Sequence, residues 1–160
     1  STLLGGSMSS RLFQEIRERR GLAYSIYSYN SCYSDCGLMG IYAGTGESEI
    51  DKLLPVLCSE IKMLAGNLEE SEVMRARNQI KTSLLMSLES TSFRAEQLAQ
   101  QILIFGRPLP VEELVSRIEA VDTYAVARLA KQIFSGNPTL AAIGPIGRLE
   151  PYTQIVSRLA

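Results

Sequence analysis

Residues 7–45 read SMSSRLFQEIRERRGLAYSIYSYNSCYSDCGLMGIYAGT, and within this stretch the hydrophobic period changes once. From Ser7 to Arg20 a serine suited to an N-cap precedes Leu12, Phe13 and Ile16 on one helical face, and Gly21 supplies the C-terminal stop. From Leu22 to Tyr33 aromatic and β-branched residues take over at period two. After the turn Ser34-Asp35-Cys36-Gly37 a second such run covers Leu38 to Thr45. The reading is a short amphipathic helix feeding an antiparallel hairpin.

Beyond the hairpin, helical spacing returns from Glu47 to Ala65 through Ile50, Leu53, Leu54, Leu57, Ile61 and Leu64, with Pro55 expected to kink or interrupt it. Four further helical patterns follow at Glu69 to Leu88, Thr91 to Phe105, Val111 to Ala120 and Thr123 to Phe134, divided by serine, glycine and proline punctuation. Pro138 to Ile143 is a short apolar run suited to a buried strand, and Gln154 to Leu159 to a last helical turn. Strand runs and helix runs that segregate in this way predict an α+β layer, a mainly antiparallel sheet covered on one face by helices.

The 160 residues, 46% hydrophobic and 21% charged, suffice for one domain with its own core, so residues 1–160 are read as a single domain. Sixteen Lys and Arg against seventeen Asp and Glu leave a net charge of -1. No global field then draws the chain to nucleic acid or to an anionic membrane surface. No apolar segment approaches membrane-spanning length. Three cysteines, Cys32, Cys36 and Cys58, are too few for a disulfide framework and favour a reducing compartment such as the cytoplasm. There is no histidine. That removes the commonest general base and the commonest zinc ligand, and with them most hydrolase mechanisms that this segment could run alone.

Most charges on the first helix have local partners: Arg11, Glu15 and Arg19 form a ladder at four-residue spacing. Arg17 stands apart, because its neighbours three and four away are Phe13, Gln14, Arg20 and Gly21. Seven residues on, Tyr24 opens the first strand, so a helix end and a strand start bring a guanidinium and a phenol toward one rim. Both groups donate hydrogen bonds that a peptide carbonyl accepts. Spacing alone favours a tertiary salt bridge for Arg17 and a core ring for Tyr24. Tyr27, Tyr29 and Tyr33 share the other strand face and read as core or as a cross-strand packing surface. Cys32 and Cys36, with Cys58 as the only further thiol, fall short of a closed zinc site. Gly5-Gly6-Ser7 lacks the lysine of a phosphate loop and reads as a turn with a cap. Glu69, Glu70 and Glu72 suit the first turn of a helix.

The run from Leu4 to Tyr27, LGGSMSSRLFQEIRERRGLAYSIY, resembles the second homologous domain of the zinc metallopeptidase family that includes bacterial processing proteases, mitochondrial processing peptidase and insulin-degrading enzyme. Tyr33 to Leu38 and Ile41 to Thr45 resemble that family's next hairpin, and the helical remainder has a matching order, more loosely after about Gly66. The resemblance implies two similar α+β domains closing on an extended peptide. The first carries an inverted zinc motif, His-x-x-Glu-His with a distal Glu, and the second an Arg and Tyr pair that holds substrate. Arg17 and Tyr24 match that pair in context and separation.

The resemblance therefore implies a C-terminal, substrate-clasping domain of a longer zinc endopeptidase. Zinc would belong to the larger enzyme, with no cofactor in this segment, and the partners would be an N-terminal catalytic domain or a partner subunit and a peptide substrate. The family domain normally begins with a strand and a longer helix before the Leu-Gly-Gly turn, so this chain is expected to be truncated at its N-terminus, to lack an edge strand and to be prone to homo-oligomer formation. The alternative is a catalytically silent homologue serving as a structural or interaction subunit. A self-contained hydrolase is disfavoured, since no nucleophile and base pair is visible.

Overall fold

The change of period falls where the backbone reverses. In the computed structural model, which describes residues 1–159, Gly21 has φ 61°, a left-handed conformation that side chains with a Cβ resist. Its N–H donates to Arg17 O at 3.1 Å and that of Leu22 to Ile16 O at 2.8 Å, closing the helix C-terminus. The helix itself is shorter than the expected span from Ser7 to Arg20. Ser10 donates both its N–H and its Oγ to Ser7 O, so Ser7 to Ser10 form a turn, their local bonds competing with helix. After Arg11 and Leu12 the helix widens into a π-helix, Phe13–Glu18, in which the N–H of Arg19 reaches back five residues to Gln14 O.

The chain divides into two compact units, one made of Ser1–Leu68 with the residues from Tyr124 onward, the other of Glu69–Thr123. The first unit contains α1 (Thr2–Gly5), the π-helix, β1 (Ser25–Cys32), β2 (Gly37–Gly44), α2 (Ile50–Gly66), α6 (Thr123–Ile133) from its second residue, and α7 (Tyr152–Leu159). β1 and β2 pair antiparallel in a register that sets Ile26 opposite Ala43, Tyr27 opposite Tyr42, Ser28 opposite Ile41 and Tyr29 opposite Gly40. Period two then divides the hairpin. Ile26 and Ser28 are buried, and Ile41 and Ala43 pack on the core of Leu4, Leu12, Ile16, Leu22, Leu53, Leu64 and Ala130. Tyr27, Tyr29 and Tyr42 face outward, and the rings of Tyr27 and Tyr42 stack at 5.0 Å. Of the two readings of the stripe, core is excluded and cross-strand packing holds for Tyr27, against Tyr42, and for Tyr29, over Gly40, whereas Tyr33 lies past the end of β1 and is exposed.

Gly5 lets α1 meet the sheet. A Cβ there would lie 2.5 Å from the Ser28 backbone nitrogen. α2 runs through Pro55 unbroken, at the cost of the backbone bond that proline cannot donate. A second apolar cluster, Leu54, Cys58 and Ile155, joins α2 to α7.

The second unit holds α3 (Glu70–Ser87), α4 (Thr91–Phe105) and α5 (Val111–Glu119). Glu69 and Glu72 close a capping box on α3, Ser90 Oγ accepts from Phe93 N at 3.3 Å to start α4, and Gly106 at φ 70° ends it. The side-chain oxygen of buried Gln101 accepts from the N–H of Leu109 at 2.8 Å. Lys81 Nζ reaches Glu119 Oε1 at 2.7 Å and Arg77 Nη1 the Glu119 carbonyl at 3.0 Å, linking α3 to α5.

The α+β class holds, with helices predominating over a two-stranded antiparallel sheet. One element does not form as expected: Pro138 to Ile143 has no regular structure, and Ile143 is fully exposed. A strand needs another strand's edge for its N–H and C=O groups, and among the described residues β1 and β2 pair only with each other. No described helix is long and apolar enough to cross a membrane.

Candidate functional site

Two elements of the first unit deliver Arg17 and Tyr24. The π-helix carries Arg17 in its last turn, and the Gly21 reversal returns the chain so that Tyr24 precedes β1 by one residue. There the N–H of Tyr24 donates to Gly44 O at 2.9 Å, extending the ladder past the strand end, and the hydroxyl of Thr45 donates to Leu22 O at 2.6 Å. The backbone under Tyr24 is thereby fixed while its side chain projects, 86% exposed. The core-ring reading of Tyr24 is thus excluded.

The Arg17 guanidinium carbon lies 4.7 Å from the centre of the Phe13 ring and 5.7 Å from that of Tyr24, both within cation–π range. Its side chain is 39% exposed. Spacing of three and four offered Arg17 no carboxylate; the structure supplies one from the adjacent residue, Glu18 Oε1, 3.8 Å from Arg17 Nε and itself exposed. An exposed ion pair at that length restrains little. The long-range salt bridge is therefore replaced by aromatic contacts.

The neighbouring charges behave differently. Glu15 takes Arg19, as the ladder predicts, and also Arg20 at 3.7 Å, while Arg11 reaches the Asn67 carbonyl at 2.6 Å. A cleft of about 410 Å³ between the π-helix and α2 is lined by Glu15, Arg20, Ser59 and Glu60, among others. Arg17 and Tyr24 do not line it; they sit on an open rim.

Sequence reasoning missed Phe13. It was assigned with Leu12 and Ile16 to the apolar face, but those two are fully buried whereas Phe13 is only half-buried and lies beside Arg17. Its place four residues before an otherwise unpartnered arginine was the signal available.

The donor set does not fit the zinc that the resemblance implies for the larger enzyme. The chain has no histidine, and among the described residues no three Cys, Asp or Glu side chains are grouped to hold a metal. Cys32 and Cys36 are exposed at the hairpin end, while Cys58 is buried between α2 and α7. Burial, aided by nearby Glu150, pushes the Cys58 thiol up and disfavours the thiolate that zinc requires.

Residues 1–80, which include the π-helix and the whole hairpin, match the family model described as the Peptidase M16 inactive domain. An uncharacterized zinc protease of Streptomyces coelicolor is 40% identical over 147 residues, covering 91% of this chain and 32% of that protein. The mitochondrial-processing peptidase subunit beta of Mus musculus is 37% identical over 156 residues, covering 97% of this chain and 32% of its own length. The chain thus spans about a third of the length of these curated relatives. A chain of the complex III2 structure from Candida albicans shares the fold with a TM-score of 0.82 at 24% identity, covering 99% of this chain and 38% of that one. With half of its length matched by the family model and such relatives over most of the rest, the chain belongs to the M16 peptidase family, as its inactive domain.

Proposed function

We propose that this chain is the substrate-holding half of a zinc-dependent endopeptidase, in which Arg17 and Tyr24 donate hydrogen bonds to a carbonyl of an extended peptide. The zinc site belongs to another domain or to a partner subunit. The observation that carries the reading is the pairing of a half-buried guanidinium and an exposed phenol, 5.7 Å from guanidinium carbon to ring centre, at the open end of a hairpin.

The chemistry follows from the donor types. A guanidinium offers several N–H groups in one plane and a phenol offers a single O–H on a rigid ring. As a peptide carbonyl is attacked its oxygen gains negative charge, and donors already in place stabilise that charge more than they stabilise the resting carbonyl. Arg17 and Tyr24 would thus serve turnover beyond simple capture of substrate.

The test uses the complete peptidase that carries this domain. Arg17→Ala and Tyr24→Phe should each lower the catalytic constant while the zinc content stays at its original value. Full turnover in both variants would assign the pair to the fold and leave the domain a structural subunit.

A further inference from the structure

We infer that Phe13 is a positioning residue for Arg17: its ring seats the guanidinium and leaves the N–H groups free for substrate. The inference rests on the proposed substrate-holding role of Arg17 and Tyr24 and identifies what makes Arg17 able to fill it.

An arginine on an exposed rim has four rotatable side-chain bonds, and holding it in one place costs conformational entropy. Proteins usually meet that cost with carboxylates, which consume the same N–H groups that a substrate carbonyl needs. Around Arg17 the structure uses another means. The carboxylate in reach, Glu18 Oε1, is 3.8 Å from Nε, beyond hydrogen-bond length. The Phe13 ring lies 4.7 Å from the guanidinium carbon and Tyr24 at 5.7 Å. A ring beneath a guanidinium attracts the cation through its π-face and uses none of the donors, which all lie in the guanidinium plane.

The π-helix contributes to this placement. Leu12 and Ile16 point into the core, yet Phe13, next to Leu12, is not carried into that core with them. The wider turn of Phe13–Glu18 changes the angular spacing of side chains from that of an α-helix, and such turns recur where a helix serves a site. Phe13 and Arg17 are both within it, so ring and cation share one local frame.

The complete peptidase again provides the experiment. Phe13→Leu keeps an apolar side chain and removes the ring, and should lower the catalytic constant about tenfold with KM changed less than twofold. Phe13→Tyr should retain most of the turnover. Replacing Phe13 by pentafluorophenylalanine keeps the shape while reversing the ring's charge distribution, and should lower turnover as Phe13→Leu does without lowering the melting temperature. In the Arg17→Ala background none of these changes should reduce turnover further, because a residue that acts only through Arg17 has nothing left to position.

Wild-type turnover in the pentafluorophenylalanine variant, or additive losses with Arg17→Ala, would make Phe13 a packing residue and overturn the inference. The two readings fail separately. If Arg17→Ala itself leaves turnover intact, the substrate-holding role falls and this inference with it. If Arg17→Ala lowers turnover and the Phe13 variants do not, only the positioning role falls.

Discussion

The guanidinium carbon of Arg17 lies 5.7 Å from the centre of the Tyr24 ring, although a helix end, a left-handed glycine and a strand start separate the two in sequence. Loss of either donor should therefore affect chemistry more than folding. In the complete peptidase, Arg17→Ala and Tyr24→Phe should each reduce turnover roughly a hundred- to a thousandfold, the effect of losing one transition-state donor worth about 2.7–4 kcal/mol. Melting temperature should move little, because an exposed rim group is not a core group. Steady-state kinetics, metal analysis and thermal melts of the two variants check this together.

Gly21 joins the two halves of the pair. Nothing lies within 4 Å of a Cβ built on it, so steric room is not the issue; its φ of 61° is. Gly21→Ala should destabilise the chain by about 1–2 kcal/mol through the left-handed conformation alone. Gly21→Asn should cost less, since Asn tolerates that region better. Chemical denaturation of the three proteins would rank them, and an alanine variant as stable as the original would contradict the argument.

Gly5 and Gly66 should respond in opposite directions to the same substitution. A Cβ at Gly5 meets the Ser28 backbone nitrogen at 2.5 Å, and backbone in β1 cannot move aside without disturbing the hairpin. Gly5→Ala should cost about 1–3 kcal/mol, the usual range for overpacking. At Gly66, the last residue of α2, nothing lies within 4 Å and φ is not left-handed, so Gly66→Ala should be neutral or stabilising by up to about 1 kcal/mol. Denaturant midpoints measured side by side test both signs.

Acid should act on the second unit through Glu113. Its carboxylate takes Arg107 Nη1 and Nη2 at 2.9 and 2.8 Å and Arg117 Nη2 at 2.7 Å. Foremost the Arg107 hydrogen bonds, then Arg117, hold its pKa down, to about 2. A folded pKa below the unfolded one means that the stabilisation is present above the ordinary value of about 4.5 and is lost as pH falls toward 2. Glu113→Gln should therefore lower the melting temperature at pH 7, and the gap from the original protein should close between pH 4.5 and 2. Because the cluster is partly exposed, added salt should shrink the gap as well.

Much of the helical part was legible because its boundaries are written in short-range chemistry. Ser90 before Thr91, Gly106 after Phe105 and the Glu69 and Glu72 pair each fix a terminus by hydrogen bonds within a few residues. The hairpin was legible for a similar reason, since alternation of Ile26 and Ser28 against Tyr27 and Tyr29 records which face is buried. Pro138 to Ile143 misled because an apolar run shows the wish to be buried and says nothing about whether the chain path brings it to a strand edge. The π-helix was invisible for another reason: Leu12 and Ile16, four residues apart, share a face whether the turn is α or π, so the apolar pattern carries no trace of the wider turn. Phe13, one residue off that stripe, lies beside the Arg17 guanidinium and outside the core. Arg17 and Tyr24 stood out by spacing and resemblance, whereas the ring beside them needed the geometry.

The stacked tyrosines on the outer face of the hairpin give this domain an optical label of its own. The chain has no tryptophan and seven tyrosines, and Tyr27 and Tyr42 hold their rings 24° from parallel at 5.0 Å. Coupled chromophores in a fixed chiral arrangement produce a near-ultraviolet circular dichroism band that vanishes when the strands separate. Because Tyr27 lies three residues beyond Tyr24 on the same run, that band reports, without any attached dye, whether the scaffold beneath the rim is intact.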